Sequence, residues 1–231
     1  MKSFAWPLVL VIAGCDANET DDDFPVEPGG GDSVPVSGDP VETFTGRICI
    51  SNTISNLSQC RPNNLGGFTV ALGRSAVITD ANGGFELPVP ALATSSFRVT
   101  GPGVVPTSTP FSQSLTVPVV DADVWARTLQ SNQIFAVPNT GAILGNVVRA
   151  GNAAQNITVA STPAGQFGPF FDTETGFGTN ATGARGVFMV PGIATGTAGL
   201  TFTDTSGLET TVAGVQVVNG GVTILDSVVL P

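Results

Sequence analysis

The chain has 231 residues and a formal net charge of −10, with 18 acidic residues against eight basic ones. Nine of the acids lie between Asp16 and Glu42, and from Gly46 onward nine acids face seven arginines, so the remainder is nearly neutral. The absence of a basic patch that could neutralise phosphates argues against a nucleic-acid partner. The chain has no His and no Tyr, which removes the usual acid–base residue at neutral pH and excludes a Ser-His triad.

The first 14 residues have the pattern of a secretory signal, with Lys2 at the start and an apolar run over residues 4–14. This run is shorter than the roughly 20 residues that cross a bilayer as a helix. Residues 11–15 read Val-Ile-Ala-Gly-Cys, which resembles a bacterial lipobox. The resemblance implies that Cys15 is acylated, with chains such as palmitate, and anchors the protein to the inner or the outer membrane. An ordinary cleaved signal and an uncleaved anchor are the alternatives.

The stretch from Cys15 to Thr43 has the composition of a linker. It holds three consecutive glycines, several prolines, half of the acidic residues and almost no aromatic side chain. Such a segment cannot bury enough apolar surface to offset its ordering entropy, so we expect a disordered acidic linker. A flexible chain of this length spans roughly 30 Å, which suits a spacer between a membrane surface and folded domains.

Three cysteines occur in the chain, and assigning Cys15 to lipid leaves Cys49 and Cys60. An even remainder in an exported protein predicts one disulfide. Two free thiols are the alternative.

Short runs of Val, Ile, Thr and Phe, separated by Gly, Pro, Asn and Ser, predict many short strands between residues 44 and 118. The strands are expected over residues 45–50, 68–72, 76–79, 85–87, 96–101 and 104–119. Asp and Asn favour tight turns and Gly supplies positive φ, so the run 80–84 predicts a β-hairpin.

Two predicted strands are followed by the motif Thr-Asp-x-Asn-Gly-x-Phe and then by a further strand. This order resembles the carboxypeptidase regulatory-like domain. The resemblance rests chiefly on Thr79, Asp80, Asn82, Gly83 and Phe85. It implies a transthyretin-like β-sandwich without catalytic activity. Asp80 and Asn82 could suggest a calcium site, but the third ligand and the distant Glu of an EF-hand loop are absent from this sequence. We therefore expect a structural turn and no metal.

Residues 121–130 predict the one helix, capped by Asp121 or Asp123. Val124, Trp125 and Leu129 fall on one face. We expect Trp125 to pack this helix against a sandwich; a ligand platform is the alternative.

The second unit, 139–231, repeats the pattern of turn and strand, with a degraded motif at Thr179, Thr182 and Gly183. Strands are expected over residues 141–149, 156–162, 197–203, 208–217 and 222–225, and a turn followed by a strand over residues 183–192. The turns at 204–207 and Asn219-Gly220 each predict a hairpin. The segment 165–177 is rich in Gly and Phe. Its phenylalanines either fill the core or form an exposed contact surface, and the candidate ligand contacts are therefore Phe167, Phe170, Phe171 and Trp125.

The sequence thus predicts an all-β fold: two tandem Greek-key-type β-sandwiches joined by one short helix, after a disordered acidic tether. The expected divisions are 1–14 signal peptide, 15–43 lipidated Cys and linker, 44–118 first sandwich, 119–138 helical connector and 139–231 second sandwich. Asp172 and Glu174 could form a carboxylate pair for glycoside hydrolysis, but the sequence shows no sign of their burial.

No catalytic residue, metal site or cofactor is predicted. The expected function is that of a non-catalytic, lipid-anchored protein of the bacterial cell envelope, acting as a binding or structural module. The membrane is its expected partner through the lipid, with an envelope protein or a glycan as a further partner. The alternative function is a carbohydrate-binding accessory protein of the cell surface.

Overall fold

The computed structural model describes residues 43–89, 96–112, 114–174 and 176–231. The predicted signal peptide, Cys15 and the acidic linker lie outside these described residues, so their features stay predictions. Within the described residues the chain forms β-strands and one short helix, which confirms the predicted all-β class. The elements, in chain order, are β1 (Thr43–Ser51), β2 (Thr69–Leu72), β3 (Ser75–Ile78), β4 (Gly84–Pro88), β5 (Ser96–Thr100), β6 (Thr107–Pro110), β7 (Thr116–Val120), α1 (Ala122–Ser131), β8 (Thr140–Arg149), β9 (Asn152–Ala153), β10 (Thr158–Thr162), β11 (Phe170–Asp172), β12 (Phe177–Gly178), β13 (Val187–Ala194), β14 (Gly196–Thr203), β15 (Glu209–Val217) and β16 (Val222–Leu230).

The first half of the described chain forms two facing layers. β1 pairs with β4 on one side and, in parallel, with β7 on the other, while β3, β2, β5 and β6 form the opposite layer. Every second residue of β4 and β5 is buried, because successive side chains of a strand point to opposite faces. These side chains meet in the first core, which contains Phe44, Ile48, Ile50, Leu65, Phe68, Val70, Leu72, Phe85, Leu87, Phe97, Val99, Val104, Val117 and Val119.

The second half repeats these pairings. β8 pairs with β13 and, in parallel, with β16, while β10, β14 and β15 form the opposite layer. The register repeats as well, since Gly46 lies opposite Phe85 and Gly145 lies opposite Phe188. Each glycine leaves room for the ring, because an added Cβ would lie 2.8 Å from Cζ of Phe85 or 3.0 Å from Cζ of Phe188.

One sheet runs through both halves because β16 also pairs with β6. The pairing is parallel and short, with Val222 opposite Thr107 and Thr223 opposite Ser108. Each half has a core of its own, the first core and the core of the second half. A further cluster of buried side chains, the joint core, lies beside the β6–β16 pairing, and both halves contribute to it. The joint core consists of Ile54, Leu57, Val105, Val120, Ile134, Ala142, Leu144, Val187, Met189, Val222 and Ile224.

The predicted disulfide between Cys49 and Cys60 is present, with the two Cα atoms 5.0 Å apart. It closes a loop that begins on β1 and carries Ile54 and Leu57, which are 2% and 4% exposed in the joint core. In the chain-entropy account, closing a loop of this size stabilises the fold by about 3 kcal/mol. The disulfide therefore holds a loop of the first half against strands of the second.

The helix begins where the sequence predicted, and Asp121 is its cap. The Oδ1 atom of Asp121 accepts hydrogen bonds from the backbone N–H groups of Asp123 (2.9 Å) and Val124 (3.1 Å). Its Oδ2 atom accepts a bond from Nη1 of Arg61 at 3.0 Å. Because Arg61 directly follows the disulfide loop, one carboxylate ties the start of the helix to that loop. Trp125 lies half-buried against the joint core.

Two turns that were predicted as β-hairpins are not hairpins. The turn at 80–84 joins β3, which pairs with β2, to β4, which pairs with β1. The turn at Asn219-Gly220 joins β15, which pairs with β14, to β16, which pairs with β8 and β6. In both cases the chain crosses between layers, because turn residues fix a reversal but not the partner of the next strand. The turn at 204–207 does close a hairpin, as predicted, between β14 and β15.

An ion pair fastens the β14–β15 hairpin to β8. Nη2 of Arg149 donates to Oδ2 of Asp204 at 2.8 Å. The hydroxyl of Ser206, which donates to Oδ1 at 2.6 Å, is the main reason that the pKa of Asp204 falls from 3.8 to about 2; burial opposes the shift, and the Leu208 N–H and Arg149 assist it. A carboxylate whose pKa is lowered by folding stabilises the fold above about pH 4 and loses that contribution as the pH falls toward 2.

The joint core can be tested with two substitutions on one strand. Ile224 is fully buried, so we expect Ile224→Ala to lower the free energy of unfolding by about 2–5 kcal/mol. Val229 is 68% exposed, and Val229→Ala is expected to change it by no more than about 0.5 kcal/mol. Urea denaturation measures both values, and similar losses in the two variants would contradict the described packing.

Candidate functional site

In the Thr-Asp-x-Asn-Gly-x-Phe motif, the side chains of Thr79 and Asp80 form hydrogen bonds with backbone groups. The hydroxyl of Thr79 donates to the carbonyl of Leu65 (2.8 Å) and accepts from the N–H of Phe68 (3.1 Å). Oδ1 of Asp80 accepts from the backbone N–H groups two and four residues further along, both at 2.8 Å. Asp80 therefore closes a turn between the two layers of the first half, as expected of a structural motif.

A second turn in the other half has the same anchor. The hydroxyl of Thr182 donates to the carbonyl of Ala154 (2.7 Å) and accepts from the N–H of Ile157 (3.0 Å). The residue that follows is Gly183, where the first turn has Asp80. The second turn therefore lacks a carboxylate of its own.

Asp172 supplies that carboxylate from a distant part of the chain. Its Oδ1 atom accepts from the N–H groups of Gly183 (3.0 Å) and Val187 (2.8 Å), and its Oδ2 atom accepts from the N–H of Arg185 (3.0 Å). Arg185 and Val187 stand three and five residues after the anchoring threonine, as do the two amides that Asp80 binds. The second turn thus lacks the Asp of the motif in its own sequence, but Asp172, the last residue of β11, binds the equivalent amides.

The position of Asp172 bears on whether it could form a catalytic carboxylate pair with Glu174. Asp172, for which the sequence shows no sign of burial, is 2% exposed, whereas Glu174 is exposed. Asp172 lines a cleft of about 500 Å³ beside Asn156 and Asn180, but its oxygens accept hydrogen bonds from backbone amides. A carboxylate with this role serves the turn, and the geometry gives no support to a pair for glycoside hydrolysis.

The four phenylalanines of the Gly- and Phe-rich segment have different environments. Phe171 is 1% exposed and belongs to the core of the second half, so it has no face for a ligand. Phe167, Phe170 and Phe177 are half-buried against the joint core. Of the three phenylalanines offered as ligand contacts, Phe171 is corrected to a core residue because β11 turns it inward, while Phe167 and Phe170 keep partial exposure.

Trp125 takes part in a small surface groove of about 110 Å³. Leu129 on the same helix and Phe135 in the loop that follows also line it. Phe135 is 72% exposed, which is unusual for a large aromatic side chain. Sequence reasoning missed Phe135, since a single phenylalanine in a loop has no periodicity to reveal its exposure.

Within the described residues, no group of three or more His, Cys, Asp or Glu side chains is placed to hold a metal ion. The same part of the chain contains no helix that is long and apolar enough to cross a membrane.

No protein-family profile matches this chain, and no curated protein matches it either. Among solved structures it is similar to the minor pilin GBS52 of Streptococcus agalactiae, with 9% identity over 82% of this chain and 96% of that one and a TM-score of 0.27. It is also similar to the shaft pilin SpaA of Lactobacillus rhamnosus GG, with 12% identity over 82% of this chain and 99% of that one and a TM-score of 0.23. The Bacillus anthracis TIE protein is 16% identical over 80% of this chain and 34% of its own, with a TM-score of 0.24. Likenesses this slight carry no argument about function.

The role of Asp172 leads to a matched comparison. Asp172→Ala leaves three backbone N–H groups without an acceptor, and we expect a loss of about 2–4 kcal/mol of unfolding free energy. Glu174→Ala, two residues away and exposed, is the control and should be nearly neutral. Amide hydrogen exchange provides the sharper reading: Asp172→Ala should raise exchange at Arg185 and Val187, and unchanged protection of both would show that the carboxylate does not hold this turn.

Proposed function

We propose that this chain is a non-catalytic lipoprotein of the bacterial cell envelope, held on a membrane by a lipid at Cys15 and presenting its β-sandwich fold as a structural or docking module. The observation that carries the proposal is the disulfide. It consumes Cys49 and Cys60 and leaves Cys15 as the one remaining thiol.

Disulfides persist in compartments outside the reducing cytosol. Their use in this fold supports export, and the apolar run that ends at Cys15 supplies the signal for it. Two separate features of the chain therefore agree on the compartment. The acidic linker of residues 16–42 suits a spacer between the lipid and the fold.

The carboxylates of the fold support a structural role. Asp80 and Asp172 bind backbone amides in turns, and Asp121 and Asp204 form ion pairs with arginines. These four groups are engaged in holding the fold together. The resemblance to the carboxypeptidase regulatory-like domain, itself a non-catalytic module, adds weight to this interpretation.

The lipid anchor is tested by Cys15→Ser. We expect the variant to leave the membrane fraction and to lose incorporation of labelled palmitate, because the serine hydroxyl does not form the thioether. Cys49→Ser is the matched control, since it breaks the disulfide and should keep both the label and the membrane association. A Cys15→Ser protein that still sediments with membranes and still carries label would refute the proposal.

Carbohydrate binding at the cell surface is the second candidate function. The groove beside Trp125, with the exposed ring of Phe135, favours it, because aromatic faces offer stacking surfaces to ligands.

A glycan array separates the two functions. If the second holds, the protein binds a defined glycan, and Trp125→Ala or Phe135→Ala weakens that binding at least about tenfold. Val229→Ala, an exposed residue away from the groove lining, is the control. An array without a reproducible hit, or a hit that survives both aromatic substitutions, removes this candidate.

A further inference from the structure

The strands β6 and β16 separate soon after they meet. They pair only at Thr107–Ser108 and Val222–Thr223. β6 continues beside β5 to Pro110, whereas β16 continues beside β8 to Leu230. The two strands therefore form a fork, and the space inside it is open to the surface.

Two adjoining cavities of about 270 Å³ and 540 Å³ lie at this fork. They share Phe111 and Val212 as lining residues, and we call the two cavities together the fork groove. Phe111 lies at the rim of the first core and Val212 at the rim of the second-half core. Thr109 also lines the groove. Its side chain is 4% exposed, and its hydroxyl is buried without a hydrogen-bond partner among the described residues.

The wall opposite Phe111 is the edge of a sheet. β15 is the last strand of its layer and pairs only with β14 within the described residues. Residues 212–216 of β15 line the groove in succession. Among the residues that the structure describes, the one group engaged on this edge is the carbonyl of Gln216, which accepts from the hydroxyl of Thr223. β15 has nine residues and a single charged side chain, Glu209. β15 bulges at Ala213–Gly214, where two of its residues lie opposite Gly199 of β14. On either side of that bulge, a long edge strand with so little charge is a template for an added strand.

We propose that the fork groove binds an extended segment of a partner polypeptide, which adds to the free edge of β15 as a further strand. Its backbone pairs with β15, and its alternate apolar side chains fill the space between Phe111 and Val212. Main-chain pairing with pockets for alternate side chains is an established mode of peptide recognition. The mainly apolar lining makes a peptide a better occupant than a sugar.

Charge identifies the kind of peptide. Asp226 is exposed and is the only charged residue that lines the two cavities, and it forms no ion pair among the described residues. A Lys or Arg on the bound segment would complement it. The acidic stretch of this chain itself, with nine acids between Asp16 and Glu42, would be repelled by Asp226 and Glu209. This proposal does not require the lipid at Cys15, so either one can fail alone.

The test uses the full chain in detergent and the synthetic peptide acetyl-Thr-Val-Thr-Val-Thr-Lys-amide, with binding followed by calorimetry and by the amide NMR signals of β15. Two further peptides carry N-methyl groups on alternate amides, one on the odd and one on the even residues. In an added strand only one set of amides faces β15. We therefore expect one methylated peptide to bind at least about tenfold more weakly and the other within about twofold. Equal binding of all three peptides, or no binding, overturns the proposal.

A charge exchange supplies the second variant. Asp226 is exposed, so Asp226→Lys should leave the fold intact, weaken the Lys peptide about tenfold and favour a Glu version of it. Glu174→Lys is the control for a change of net charge and should leave both affinities unaltered. Concentration-dependent protection of β15 amides in the free protein would assign the edge to a second copy. Protection of amides within residues 16–42 would assign the edge to the chain's own acidic linker. Either result overturns the proposal.

Discussion

The contact on which the rest of the structure depends is the joint core between the two halves. Each half fills its own sandwich, but the pairing of β16 with β6 is only two residues long and cannot by itself fix one half against the other. The joint core does so by burying apolar side chains from both halves. The Cys49–Cys60 disulfide and the Arg61–Asp121 ion pair hold the loop and the helix that cover it.

Much of the fold could be predicted from local patterns. Strand positions follow the alternation of apolar residues, and the helix begins after Asp121 because a carboxylate there satisfies its first N–H groups. The disulfide followed from the even number of cysteines that remains once Cys15 is assigned to the lipid. What local patterns could not supply is the partner of each strand. The turns at 80–84 and Asn219-Gly220 look like hairpin turns, yet each leads the chain into the opposite layer.

The turn that Asp172 holds also could not be predicted from local sequence patterns. Gly183 breaks the Asp-containing motif in sequence, but the amides of the turn still need an acceptor, and Asp172 provides one from eleven residues earlier. No spacing rule connects these positions, because the demand for a hydrogen bond is met in three dimensions. The exposure of Phe135 and the open edge of β15 likewise depend on how strands diverge.

The central claim, that the joint core makes the two halves one body, is tested most directly by scanning calorimetry of the oxidised protein. If the halves unfold together, a single transition appears and the calorimetric enthalpy equals the van 't Hoff enthalpy. Two resolved transitions, or a calorimetric enthalpy near twice the van 't Hoff value, would show that the halves melt independently and would contradict the account.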